Sequence, residues 1–300
     1  MLRVLKVLGI TVGALLLIGA AGAAGVYAYA GSKMSERVPV PTHGFTAPTD
    51  PASVARGEHV VRALVKCADC HGQDLGGMVV VDDPALGTVV APNLTAGKGG
   101  VGAGYSDQDF ELAIRHGIAR DGRQLVFMPS SEYQHMSDED LGAAVAYLRS
   151  VPPVDREVAP SRIRMLGRAL YVAGQLPLFE YPRVTHREDP VPSVPMDSTV
   201  AYGKYIGDVG CAGCHGAGYG GGPIPGVPPD WPKASNLTPD AIGHYTREQF
   251  AHVLRTGERP DGTKLHELMP IQATKLMTDV EVAAVHKYLA SLPAKPFGTR

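Results

Sequence analysis

Hydrophobic positions follow a different pattern in each part of this 300-residue chain. Near the N-terminus they are continuous. From Val7 to Ala30 no residue is charged, and Arg3 and Lys6 stand just before the run. A helix needs roughly 20 apolar residues to cross a bilayer, so residues 1–30 are expected to form a transmembrane anchor. The basic flank predicts a cytoplasmic N-terminus and an outward-facing remainder. Ala28-Tyr29-Ala30 also satisfies an A-x-A cleavage pattern. Signal h-regions run only about 7–15 residues, however, and the longer run here favours a retained anchor.

Beyond residue 50 the pattern becomes amphipathic, and it occurs twice. Gly57-Glu58-His59-Val60-Val61 opens a helical pattern that leads into Cys67. Ser106 is a helix N-cap before Phe110, Ala113 and Ile114, with Gly117 placed to end that helix. Ser137 caps a last helix with Leu141, Ala144, Val145 and Leu148 on one face, stopped by Pro152 and Pro153. The same order returns later. Gly203-Lys204-Tyr205-Ile206 leads into Cys211, and Thr246-x-x-Gln249 is a capping box before Phe250, Val253, Leu254 and Gly257. Thr278-x-x-Glu281 caps a final helix carrying Val282, Val285 and Leu289. The expectation is a mostly α chain with tandem domains at 52–152 and 200–293. A proline-rich linker at 153–199 carries a short basic helix at Ser161–Tyr171, either a spacer or a docking or membrane-surface element.

Composition changes this picture in one respect. With 36 glycines and 25 prolines, about one residue in five resists regular structure. Domains of about ninety residues with so little regular structure are marginal on their own core, which calls for a large apolar filler. The net charge of −2 gives no support for nucleic-acid binding.

The chemistry lies in two pentads. Cys67-Ala68-Asp69-Cys70-His71 recurs as Cys211-Ala212-Gly213-Cys214-His215, and together they hold all four cysteines. C-x-x-C-H is the pattern of c-type haem attachment. Its cysteines face one way on a helical turn, where each can form a thioether, and the next histidine can ligate iron. A redox dithiol needs no following histidine, and a zinc ribbon places its second pair about 15–20 residues on, whereas these pairs lie 144 apart. Two covalently bound haem c groups are expected. The sixth iron ligands are expected to be Met128 and Met269, which lie 57 and 54 residues after their histidines. Both follow an Asp-Gly turn and precede a proline that stiffens the loop. Met136 and Met277 are also paired by the repeat, but they sit where a helix-entry staple would pack. His116, His135, His252 and His266 have no counterpart histidine in the other half and read as packing or surface residues. Asn93-Leu94-Thr95 matches a glycosylation sequon, a reading set aside for an exported haem protein. The glycine tract Gly216–Gly222 follows a haem motif rather than a strand, so it reads as a loop near the haem edge.

Residues 93–153 resemble the cytochrome c subunits of membrane-bound bacterial alcohol, gluconate and related dehydrogenases. The resemblance rests on Tyr105-Ser106-Asp107, Ile114-Arg115-x-Gly117, Asp121-Gly122-Arg123, Met128-Pro129, Ser137-Asp138-Glu139-Asp140-Leu141 and Tyr147-Leu148-Arg149-Ser150. It extends through the linker to the second domain. It implies class I cytochrome c folds with His71/Met128 and His215/Met269 as axial pairs. Those subunits typically carry three haem motifs; this chain has two and a hydrophobic N-terminal segment. The expected function is a membrane-anchored periplasmic carrier at the bacterial inner membrane. It would pass single electrons between redox partners such as a dehydrogenase, a quinol-oxidising complex or a terminal oxidase. A dihaem peroxidase-type enzyme is the alternative, and it conflicts with a Met-Pro arrangement in both halves. A haem-bearing tether for a soluble dehydrogenase is a third reading.

Overall fold

The computed structural model describes residues 2–39, 44–187, 189–227 and 231–300. Helix α1 (Leu2–Met34) is unbroken over 33 residues, about 50 Å at 1.5 Å per residue. Among the described residues it is the one helix long and apolar enough to cross a bilayer.

The first domain begins with α2 (Pro51–His59). Asp50 accepts the Ser53 N–H at 3.0 Å, and Pro51 occupies the first turn, where its missing donor costs nothing. The helix continues into a π-turn at Val60–Leu64 and ends at Lys66, whose φ of +56° is left-handed. The short α3 (Cys67–His71) follows. A hairpin comes next, β1 (Met78–Asp83) against β2 (Gly87–Ala91). Helix α4 (Asp107–Glu111) runs into a second π-turn, Leu112–His116, which Gly117 ends at φ +68°. The short α5 (Ser130–Tyr133) leads to α6 (Asp138–Ser150). In the linker, β3 (Arg162–Ile163) pairs with β2, and α7 (Met165–Val172) follows. The second domain is α8 (Val200–Gly210), α9 (Ala212–His215), α10 (Pro239–Ile242), α11 (Arg247–Thr256), α12 (Ile271–Thr274) and α13 (Asp279–Ser291).

Most helix ends fall where the capping residues placed them. Ser106, Ser137, Thr246 and Thr278 each accept the N–H three residues on. Two features differ from expectation. The hairpin is a β insertion in an otherwise helical domain, formed by the β-branched runs at 79–81 and 88–90 between glycines. The linker helix starts at Met165 rather than Ser161, because Arg162 and Ile163 extend the sheet.

Each domain closes where its first helix crosses its last at a glycine. A Cβ on Gly57 would lie 1.9 Å from the Ala143 carbonyl oxygen, and one on Gly203 would lie 2.0 Å from that of Ala284. The two backbones are in contact at both crossings, so no side chain fits between them. From Gly57 to Cys67 is ten residues, but from Gly203 to Cys211 only eight. The π-turn and left-handed Lys66 lie within the longer connection, so the first domain keeps the crossing despite the extra length.

The domains meet through the carboxylates at the third position of their last helices. Asp140 of α6 takes a bidentate pair from Arg56 at 2.7 and 2.9 Å and the Tyr205 hydroxyl of the other domain at 2.7 Å. Glu281 of α13 takes the Tyr202 hydroxyl at 3.2 Å and His59 of the other domain at 2.8 Å. Both carboxylates are buried yet fully partnered, as a charge removed from water requires. Burial alone would raise the Glu281 carboxyl, but hydrogen bonds from His59 and the Thr278 N–H and the charge of Arg56 outweigh it and hold it below its ordinary value. Its stabilisation is therefore present above the unfolded carboxylate value, about 4.3, and lost as pH falls through the folded one.

Two outcomes follow. Gly57→Ala and Gly203→Ala are each expected to cost about 2 kcal/mol or more in denaturant unfolding of the holoprotein, because a backbone must move to admit the methyl group. Glu281→Gln is expected to flatten the loss of stability on acidification below about pH 4.3, read from unfolding midpoints across pH.

Candidate haem sites

The two pentads form matching short helical turns directly after α2 and its π-turn, and after α8. In each, the first cysteine is half-buried and the second exposed, and none of the four is in a disulfide. Burial pushes the Cys67 thiol up to about 12 and raises Cys70, Cys211 and Cys214 as well. As free thiols they are therefore protonated and poorly nucleophilic. Among the described residues no cluster of three or more His, Cys, Asp or Glu side chains is arranged to hold a free metal ion.

The histidines show how the donor set suits a haem. His71 and His215 are both 7% exposed. The Nδ1–H of His71 donates to the Pro92 carbonyl at 2.8 Å, and that of His215 to the Ser235 carbonyl at 2.8 Å. With Nδ1 carrying the proton, Nε2 keeps its lone pair, as an imidazole that ligates a metal requires. Burial lowers the tendency of both rings to protonate, which keeps them in the neutral form that ligates.

Each accepting carbonyl is held by the residues just after it. The Asn93 side-chain oxygen accepts the Thr95 N–H at 2.9 Å and hydroxyl at 2.8 Å, while its amide donates to the Val154 carbonyl at 2.7 Å. Asn236 repeats this with Thr238 at 2.9 and 2.8 Å and with the Lys295 carbonyl at 2.7 Å. Both asparagines are buried, so the apparent sequon is a loop lock that no glycan reaches. Each anchors its loop to the segment that follows the domain's last helix. The turn after each histidine is fixed the same way: Gly77 N–H donates to the His71 carbonyl at 2.8 Å, and Gly221 N–H to that of His215 at 3.0 Å. The glycine tract is thus the loop that wraps the second histidine, with Gly216, Gly221 and Gly222 at positive φ.

Met128 and Met269 lie half-buried against the core on which Cys67 and Cys211 also pack. Met136 and Met277, at 1% and 7% exposed, are enclosed beneath the last helices, as staple residues are. His116 is a core residue that faces Glu111 at 3.2 Å and His186 at 3.1 Å. His135, His252 and His266 are exposed.

The two pentads also approach one another. Lys66, just before Cys67, donates to the carbonyl of Gly210, just before Cys211, at 2.5 Å. On the other side, the Glu132 carboxylate packs on Gly213, where a Cβ would lie 1.8 Å from its oxygen. Gly210, just before the second motif, and Gly213 within it are places where the first domain touches this segment.

Comparison with known proteins bears on this paired arrangement. Residues 52–148 match the family model described as cytochrome C oxidase, cbb3-type, subunit III, and residues 200–293 match that described as cytochrome c. The chain carries two cytochrome c domains. It binds two haem c groups covalently, the cofactor that both domains are built to hold. The fructose dehydrogenase cytochrome subunit of Gluconobacter japonicus is 28% identical over 283 residues, covering 85% of this chain and 56% of the relative. The gluconate 2-dehydrogenase cytochrome c subunit of Pantoea cypripedii is 30% identical over 274 residues, covering 81% of this chain and 60% of the relative. A "Diheme cytochrome c-type" protein of Cereibacter sphaeroides is 26% identical over 310 residues, covering 93% of this chain and 97% of the relative. The dihaem chain thus spans little more than half the length of the first dehydrogenase subunits it matches.

Asn93→Ala or Asn236→Ala should lower the denaturant stability of the holoprotein by about 1–3 kcal/mol, since each strands several buried partners.

Proposed function

We propose that this dihaem cytochrome is a membrane-anchored, periplasmic electron carrier whose axial pairs are His71 with Met128 and His215 with Met269. The observation that carries the reading is the duplicated ligand environment. Each histidine is held with its Nε2 free by a locked carbonyl, and each domain offers a Met-Pro loop at the matching place. Bound haem c would supply a one-electron Fe(III)/Fe(II) couple, whose potential thioether ligation by Met128 and Met269 would raise. The protein's work is positional. Cys67, Cys70, Cys211 and Cys214 tether the cofactors, the Pro92 and Ser235 carbonyls orient the imidazoles, and the methionines exclude water and other ligands.

The junction at Lys66, Gly210, Glu132 and Gly213 keeps the two binding segments side by side, which suits transfer within one chain before delivery to a partner. The named relatives support a dehydrogenase as donor, with this chain as its cytochrome subunit. A quinol-oxidising complex or terminal oxidase is the counterpart on the other side. With His71 and Met128 on one iron and His215 and Met269 on the other, a substrate would find no open iron position, so the chain itself would perform no turnover in this reading. Helix α1 anchors the assembly, and the basic flank at Arg3 and Lys6 puts the haem domains on the periplasmic face.

The visible spectrum tests the shells. The oxidised holoprotein should show two low-spin haems with a sulfur-to-iron band, unchanged by peroxide; a high-spin, peroxide-reactive haem would establish the peroxidase alternative instead. Met128→His and Met269→His should each lower the midpoint of one haem in a redox titration. Unchanged midpoints in both variants would refute the ligand assignment.

A further inference from the structure

The linker helix α7 has one face that the described residues leave largely exposed. Met165, Leu166, Ala169, Val172 and Ala173 recur at i, i+1, i+4, i+7 and i+8, which places them on a single side. Met165, Leu166 and Val172 are 43%, 47% and 41% exposed. The other side of α7 is occupied: Gly167 packs on the hairpin, where a Cβ would lie 2.4 Å from the Leu86 oxygen, and Tyr171 meets Phe179 edge-on.

The helix is also tied to the anchor. Arg168 donates to the Tyr27 carbonyl at 3.1 Å, and its guanidinium sits 4.1 Å from the centre of the Tyr27 ring. Tyr27 lies 20 residues beyond Val7, where the apolar run begins. At 1.5 Å per residue that is about 30 Å, the thickness of a bilayer's hydrocarbon core. Tyr27 and Tyr29, both exposed, stand where interfacial aromatic belts form. The uncovered face of α7 is therefore held at the level of the lipid headgroups. Its charge suits that surface. From Ser161 to Phe179 there are three arginines, at 162, 164 and 168, and no acidic residue.

We infer that α7 is an interfacial helix whose Met165–Leu166–Val172 face inserts into the outer surface of the membrane that α1 crosses. Its arginines lie among anionic headgroups. The first domain is thereby held against the bilayer at two points, the anchor and this helix, and the hairpin stacked on α7 is fixed relative to the membrane plane. A spacer helix between two domains would have no reason to leave this face apolar. The inference rests on the reading of α1 as a membrane span.

The experiment separates the two claims. Thioether formation consumes all four native thiols, so a single introduced cysteine is the only one open to a spin label. Leu15→Cys in α1, Leu166→Cys in α7 and Lys264→Cys in the second domain are prepared as full-length holoproteins in nanodiscs containing anionic phospholipid. Collision with oxygen, which concentrates in lipid, is compared with collision with a water-soluble nickel chelate. The label at 166 should collide with nickel roughly fivefold less than that at 264 and more with oxygen, as an apolar face buried about 5–10 Å requires. If 15 is shielded but 166 is as open to nickel as 264, the interfacial helix is refuted and the anchor stands. If 166 is shielded from both probes, protein covers the face and the inference is wrong. If 15 is open to nickel, the anchor fails and this inference falls with it.

Discussion

Contact between two helix backbones is the constraint on which each domain depends. At Gly57 and Gly203 the first helix meets a carbonyl of the last helix so closely that no Cβ can intervene. Helices joined this tightly behave as one unit, because packed interiors transmit rather than absorb displacement. Everything with a chemical role hangs from that unit. The haem-binding turn leaves the end of the first helix, and the carboxylate that meets the other domain leaves the start of the last. The first domain reaches Cys67 through two more residues than the second needs to reach Cys211, yet it preserves the crossing. The extra length passes into a π-turn and a left-handed Lys66.

The same economy governs the histidines. Each donates from Nδ1 to a carbonyl that carries no sequence signature, on Pro92 in one domain and Ser235 in the other. A backbone acceptor tolerates any residue type, so what must persist is the lock on its position. Asn93 with Thr95, and Asn236 with Thr238, supply it by filling the asparagine's hydrogen-bonding capacity inside the protein. Those locks bind the loops to the segments beyond the last helices, so the orientation of each histidine depends on the chain leaving the domain correctly.

Pairing the domains gives duplicated positions unequal roles. Asp140 and Glu281 are equivalent cap residues, but one takes a bidentate arginine and a tyrosine, and the other a histidine and a tyrosine with the same arginine 3.5 Å away. Glu132 reaches across to the second motif, whereas its counterpart Ala273 cannot. One repeated domain plan thus carries two different faces, and the junction brings the segments before Cys67 and Cys211 into direct contact.

By itself the sequence determined the cofactor, the duplication, most helix starts and the apolar N-terminal segment, because each depends on residues close together in the chain. Two cysteines and a histidine on one turn, a serine or threonine before an apolar stripe, and a long uncharged run act over a few ångströms. Tertiary structure decided the rest. The hairpin at 78–91 was hidden because short β-branched runs between glycines acquire a state only from a neighbouring strand. The meaning of Asn93-Leu94-Thr95 was hidden because its partners lie some sixty residues away. For α7 the sequence left a spacer and a docking or membrane-surface helix side by side, for a related reason. An apolar stripe in sequence predicts burial, and only the three-dimensional arrangement shows that the protein leaves much of this one exposed, beside the long apolar helix α1.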